Sequence, residues 1–419
     1  MELNQVIARN LQTLIEDHQV SRASLSKELG ISRVTLDNYL KANTTLDSVR
    51  LSQIANFFGV STDDILTNHD DGKPAILFRS ALHYSEAVDE VEDKISEYLE
   101  RYEALAKSVG KNICFLPEQY NLSMVRSGKV IDVNFANPDL FDGTPRLDPA
   151  FEQEIWRIAD YQRTLLGMED RGAIDIIQAL TLRGINIIFL DLGRSDIFGL
   201  SICDESRGCF IFVNSNEDIT FERQLFTIGH EYGHIILHRP VFKQRGNQKA
   251  ADKKRKLLDK MADYFSARLL FPPALIQQYA NSFANSGNNL NYILSAAMPI
   301  KRRFQVSLQS LMRSLKEYHF IQPQVYDEFA KLLSRTNSWR VEPGSFAEDT
   351  VLRDRFLHER EEPILRLLRG KSLRDDLGED EIAYFLDCDK TYAAKIFRQI
   401  GQERENVWQL FSEIPSKEE

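Results

Sequence analysis

Apolar residues recur with a helical period almost from the start of the chain. Val6, Ile7, Leu11, Leu14 and Ile15 mark one face of a helix over residues 4–15. Ser21 stands where it can cap a second helix, which runs through Leu25 and Leu29 and stops at Gly30. Ser32 can cap a third, carrying Val34, Leu36, Tyr39 and Leu40. Two more short helices are expected over 46–58 and 61–66. The polar, turn-rich run 68–74 follows and is the clearest domain boundary in the sequence. Beyond it, residues 86–107 read as an acidic helix, and Pro149 sits in the first turn of another that runs to about 166.

Near residue 173 the pattern changes. A helix over 173–182 precedes a short apolar strand over 185–190. Residues 198–203 and 209–213 read as a hairpin around Asp204–Gly208. A long helix over 220–237 and another over 254–270 come next, the latter stopped by Pro272-Pro273. The remainder is helical, with no clear strand. The pattern thus predicts a mainly α fold with a small β-sheet. It divides into four regions: a helical unit over 1–67, a helical linker over 68–169, an α+β domain over 170–275 and a helical C-terminal region over 276–419.

Length and composition narrow the class. The 419 residues are too many for one core. With 43% hydrophobic and 27% charged residues the chain is neither mainly disordered nor collagen-like. A net charge of −10 argues against a surface that coats nucleic acid or anionic membrane throughout, though a local basic patch remains open. Four cysteines without a CxxC pair exclude a disulfide framework and zinc-finger spacing. Cys203 and Cys209 can face each other across the hairpin, but such sparse usage predicts reduced thiols. The first ten residues lack an apolar signal region, and the apolar runs fall far short of a membrane span. A cytoplasmic protein with no membrane partner is expected.

The chemistry concentrates in His230-Glu231-Tyr232-Gly233-His234, an HExxH motif inside a predicted helix. Residues i and i+4 share a helix face, so His230 and His234 can reach one Zn²⁺. Glu231 is placed to act as general base toward a metal-bound water, whose pKa zinc lowers toward neutrality. A catalytic zinc usually has three protein ligands and an open position. Asp259 and Asp263, at i and i+4 on the next helix, are the candidates. Either can be the third ligand, while the other orients a histidine from behind. His238 continues the i+4 series and reads as a helix-end residue rather than a fourth ligand.

Residues 226–234 with His238, then Asp259-x-x-Ala262-Asp263-x-Phe265 and Leu269–Pro272, resemble the ImmA/IrrE family of metallopeptidases over about 170–275. The resemblance implies a zincin-like domain with metal ligands His230, His234 and Asp259, Glu231 as catalytic base, and Asp263 behind the ligands. The family's third ligand is typically Glu, and here it is the shorter Asp259. The implied cofactor is Zn²⁺, with Mn²⁺ as the alternative.

Residues 22–40 resemble the XRE (lambda-repressor-like) helix-turn-helix family. Leu25, Leu29, Ile31, Val34 and Tyr39 are expected to pack the helix pair, with Gly30 at the turn. Arg33, Thr35 and Asn38 then project toward a major groove. Arg22, Ser24, Lys41 and Asn43 are candidates for phosphate contacts, and Ser32 opens the reading helix. Residues 1–66 hold six Lys/Arg against eight Asp/Glu, poor for nonspecific DNA affinity, yet five of the six cations fall between 22 and 50. A homodimer on a two-fold double-stranded operator is the expected DNA complex.

Two further stretches carry weaker signals. Residues 243–256 are strongly basic and read as a solvated loop, or as a dock for an acidic substrate or single-stranded nucleic acid. Residues 300–315 look like another helix-turn-helix fragment, read as core packing. Taken together, the resemblances imply a transcriptional regulator, in stress or mobile-element control, whose zinc endopeptidase domain cleaves a helix-turn-helix repressor, its own or a partner's. The alternative is a non-proteolytic regulator or antitoxin-like protein that uses the metal domain as a sensor or partner-binding surface.

Overall fold

The computed structural model describes residues 3–17, 20–58, 62–66, 87–110, 115–120, 122–126, 129–132, 149–204, 207–239, 248–284, 287–334, 342–374 and 377–412. The boundary run 68–74 and residues 243–247 of the basic stretch lie outside them.

The N-terminal unit is built from α1 (Leu3–Asp17), α2 (Arg22–Glu28), α3 (Arg33–Leu40), α4 (Ser48–Phe58) and α5 (Thr62–Leu66). Their inward faces share one small core around Leu11, Leu25, Leu36, Ile54 and Ile65. The hydroxyls of Ser21 and Ser32 accept the Ser24 and Thr35 N–H groups, which fixes the starts of α2 and α3. Between them Gly30 turns at φ +62°, a conformation that a side chain would strain. One expectation is corrected here: Val34 does not pack the pair but is 69% exposed. It lies about 200° around α3 from Leu36, which takes the inward place.

The rest of the chain is organised on a three-stranded sheet of β3 (Asn186–Leu190), β4 (Gly199–Asp204) and β5 (Gly208–Asn214). β5 is central, parallel to β3 and antiparallel to β4. A separate two-stranded ribbon pairs β1 (Ser123–Arg126) with β2 (Lys129–Asp132), which the apolar pattern did not suggest.

Period-two alternation gives β5 two apolar faces, and every residue of it is buried. On one side Ile187, Cys209, Ile211 and Val213 join a large core. That core includes α7 (Pro149–Leu165), α8 (Asp175–Leu182), α9 (Phe221–Leu237) and α10 (Gln248–Leu270). It continues through α11 (Pro273–Gln277), α12 (Ala280–Ala284), α13 (Leu290–Phe304), α14 (Leu308–Glu317) and α15 (Pro323–Leu333) to α16 (Thr350–Glu359). On the other side Ile188, Leu200, Ile202, Phe210 and Phe212 face α6 (Ala87–Ser108). The C-terminal helices α17 (Pro363–Ser372), α18 (Glu379–Leu386) and α19 (Lys390–Ser412) complete this second core. Helices far apart in sequence therefore sandwich the sheet, and the two cores run across the divisions at 170 and 275.

The hairpin seats Cys203 directly opposite Cys209 and bonds their sulfurs, correcting the expectation of free thiols at this pair. The register supplies the reason, since it makes the two residues direct cross-strand partners. Among the described residues no helix is long and apolar enough to cross a membrane.

Candidate functional site

Helix α9 opens at Thr220, whose hydroxyl accepts the Arg223 N–H, and ends at His238. From Thr227 to Leu237 every residue is buried, because α9 lies between the sheet and α10. The approach of α10 depends on two glycines at i and i+4. A Cβ at Gly233 would stand 2.9 Å from Phe265 Cδ1 and 3.4 Å from the Ala262 backbone. One at Gly229 would stand 2.5 Å from Ser266 Oγ, which donates a hydrogen bond to the Phe226 carbonyl. With no side chain at either place, the two helices close and the acidic face of α10 reaches the histidines.

The predicted set then converges. His230 Nε2 and His234 Nε2 are 3.0 Å apart, and Asp259 Oδ1 is 3.5 Å from His234 Nε2. One ligand atom from each residue lies within 4.8 Å of the others. Ligand bonds of 2.0–2.1 Å in tetrahedral geometry set neighbouring ligand atoms roughly 3.3 Å apart, so the spacing suits a divalent cation. The shorter Asp259 reaches the histidines because the glycine contact draws its helix in.

Both histidines are held from behind. His230 Nδ1 lies 2.8 Å from Asp263 Oδ1. A carboxylate has no proton to give, so Nδ1–H donates and the neutral ring keeps its Nε2 lone pair for the centre. Burial disfavours charge on His230, but Asp263 outweighs it and lifts the imidazole above its ordinary value. Burial likewise opposes the Asp263 charge, and His230 holds that carboxyl below its ordinary range. His234 Nδ1 lies 2.8 Å from His238 Nδ1. Burial, with His230 and His238 beside it, drives His234 well below the ordinary imidazole range, toward the neutral form a ligand needs. His238 thus stands behind His234, on the side away from the converging Nε2 atoms.

Glu231 is wholly buried. Its Oε2 accepts a 2.8 Å hydrogen bond from Ser201 Oγ on β4. Its Oε1 has no hydrogen-bond partner among the described residues. Burial pushes the carboxyl up to about 7, against the opposing pull of His230 and of the Ser201 hydroxyl. An anchored carboxylate with one idle oxygen, beside two converging imidazoles and an aspartate, fits a site built for a cation and a water. Sequence reasoning misses Ser201; a lone serine in a strand carries no signal until the register turns it away from Leu200 and Ile202.

Two other polar residues position the site. Asn214, fully buried at the end of β5, accepts the Leu192 and Asn216 N–H groups and donates to the Ile197 carbonyl at 2.6 Å. It fixes the loop that leads into β4. Glu222, in the first turn of α9, takes Lys301 Nζ at 3.1 Å, the Phe346 N–H and the Ser345 hydroxyl. That buried ion pair ties the HExxH helix to α13 and to the short 3₁₀ turn Phe346–Glu348.

In the N-terminal unit Ser24, Ser32, Arg33, Lys41 and Asn43 are exposed, and Thr35 and Asn38 are half-buried on α3. Arg22 is exposed but forms a 3.2 Å ion pair with Asp37. The Ser32 and Thr35 hydroxyls are 2.8 Å apart at the start of α3.

Known families match two parts of the chain. Residues 10–71 match the Cro/C1-type HTH DNA-binding domain, and residues 181–316 match the IrrE N-terminal-like domain. No curated protein and no solved structure matches the chain. The chain therefore carries a DNA-binding helix-turn-helix domain and, after it, a metallopeptidase-like domain of the IrrE type. It combines the parts of a regulator with a protease-like domain.

Proposed function

We propose that the chain is a transcriptional regulator whose second domain is a zinc-dependent endopeptidase acting on a helix-turn-helix repressor, its own or a partner's. The observation that carries this reading is the convergence of His230 Nε2, His234 Nε2 and Asp259 Oδ1 beside the idle oxygen of Glu231. In this reading those three residues hold the metal, and Asp263 and His238 orient the histidines. A divalent ion held there supplies Lewis acidity toward a carbonyl and acidifies water. Glu231 takes and returns the proton at Oε1, while Ser201 keeps Oε2 still. Arg33, Thr35 and Asn38 read bases, and Arg22, Ser24, Ser32 and Lys41 hold phosphates, with two copies on a two-fold operator.

A second reading draws on the complete burial of Glu231 and His234, which suits a metal-holding sensor or partner-binding surface that cleaves nothing. Reporter strains separate the two. Glu231→Gln keeps the ligands and removes the base. If transcriptional switching fails in Glu231→Gln as it does in His230→Ala and His234→Ala, the protease reading stands. If Glu231→Gln switches normally while the histidine variants do not, proteolysis is not the function.

A further inference from the structure

The turn that joins α2 to α3 recurs at the other end of the chain, at a constant offset of 357 positions. Gly30, left-handed at φ +62°, corresponds to Asp387 at φ +50°. The Gly30 and Ile31 N–H groups bond the Lys27 and Ser26 carbonyls at 3.2 and 3.0 Å. Those of Asp387 and Cys388 bond the Tyr384 and Ala383 carbonyls at 3.4 and 3.1 Å. Ser32 caps α3 through the Thr35 N–H at 3.0 Å, and Asp389 caps α19 through the Tyr392 N–H at 2.9 Å. The packing positions correspond as well: Leu25, Leu36 and Tyr39 are matched by buried Ile382, Ala393 and Ile396. A third helix, α17, packs on both members of the C-terminal pair.

The same turn occurs once more, between α13 and α14, at an offset of 275. Gln305 is left-handed at φ +52°, Val306 N–H bonds the Lys301 carbonyl at 3.3 Å, and Ser307 caps through Ser310. There the outer face of the second helix is used up. Leu308 and Met312, at the places of Arg33 and Asp37, are buried in the large core. That pair is a packing element, as the sequence suggested. In the C-terminal pair Lys390, at the place of Arg33, is exposed and Ala394, at the place of Asp37, is half-buried; Thr391, Lys395 and Arg398 beside them are exposed, as Val34 and Lys41 are in the first unit.

Charge selects the partner. Residues 390–400 carry Lys390, Lys395 and Arg398 and no acidic residue, whereas the first reading helix carries Asp37 beside Arg33 and Lys41. Three of the five acids of the preceding helix and turn face cations of the protein itself, and a fourth, Asp389, is taken up in capping α19. Lys371 holds Glu381, Arg101 holds Asp387 at 3.2 Å, and Lys390 holds Asp380 at 2.9 Å. We propose that α18 and α19 form a second duplex-DNA-binding helix-turn-helix, with α19 entering the major groove through Thr391, Lys395 and Arg398. Thr391 can hydrogen-bond a base edge, and exposed Tyr392 offers an apolar surface to a thymine methyl. The chain then grips DNA at two places, on either side in sequence of the metal domain. This inference is independent of the metal-site reading.

The test uses the full chain and a fluorescein-labelled 30-base-pair duplex of mixed sequence, with anisotropy measured over a series of KCl concentrations. The background is Arg33→Ala/Lys41→Ala, which weakens the first unit. Adding Lys395→Ala/Arg398→Ala should lower the slope of log affinity against log salt by about 1.8 and weaken binding at least tenfold at 100 mM salt, because each lost phosphate contact removes about 0.9 from the slope. Arg302→Ala/Lys331→Ala removes the same charge from exposed positions elsewhere and should leave the slope unchanged. The proposal is overturned if the Lys395/Arg398 variant keeps its slope and affinity, or loses no more than that control. It is equally overturned if a single-stranded 30-mer binds as tightly and loses as much. All six substituted positions are exposed, so an unchanged melting temperature verifies folding.

Discussion

Substituting Gly233 by alanine tests the step that brings the two halves of the metal site together. The added Cβ would meet Phe265 Cδ1 at 2.9 Å, a shortfall of roughly 0.6 Å from ordinary carbon–carbon contact. Its other neighbour, the Ala262 backbone at 3.4 Å, cannot swing away, and Phe265 and Ala262 are both fully buried. Overpacking of this kind costs about 2–3 kcal/mol, while alanine returns about 1 kcal/mol of helix propensity. The net loss is therefore about 1–2 kcal/mol, or roughly 2–8 °C in the melting temperature of the domain. Relief requires α10 to move away from α9, which carries Asp259 from His234 and weakens metal binding. Calorimetry in chelator gives the stability and competition with a zinc indicator gives the affinity. Gly370→Ala is the control: a methyl added to that helical glycine would have nothing within 4 Å, so alanine there should stabilise by about 1 kcal/mol. If Gly233→Ala raises the melting temperature as Gly370→Ala does, and zinc affinity is unchanged, the close approach does not build the site.

Other residues give equally direct outcomes. Asp263→Asn removes the carboxylate behind His230 and should weaken zinc binding about 10–100-fold, read by indicator competition, with little change in the metal-free melting curve. Lys301→Met leaves Glu222 and Glu342 buried without their cation and should cost about 3–5 kcal/mol in urea unfolding, with Lys301→Met/Glu222→Gln recovering part of the loss. Ser32→Ala removes the cap of α3 and should lower the stability of the N-terminal unit by about 1 kcal/mol, seen as a lower urea midpoint. Zinc at 100 times its dissociation constant should stabilise the domain by about 2.7 kcal/mol, and excess chelator should reverse that gain.

The site is legible where chemistry and helical period coincide. HExxH and the two aspartates of α10 are local patterns, and their geometry follows from one helix face meeting another. Ser21, Ser32 and Gly30 are legible for the same reason, since caps and turns are short-range. What the sequence hides is long-range. Nothing local says that β3 runs parallel to β5, or that α6 packs with α17–α19 across the back of the sheet. Ser201 gains its role only from strand register. His238 can be read as a helix end, but its place behind His234 is a tertiary fact. The C-terminal helix pair is hard to see in the sequence because its left-handed turn residue is Asp387. Aspartate tolerates that conformation without the glycine that marks the first pair.

The central claim is that His230, His234 and Asp259 hold one metal ion beside Glu231. The measurement that meets it most directly is the metal content of the purified full chain, prepared without chelators and re-incubated with zinc, beside His230→Ala prepared the same way. The account predicts about one equivalent of zinc in the wild type and its loss in the variant. A wild type that retains no metal, or a His230→Ala variant that retains as much, would contradict it.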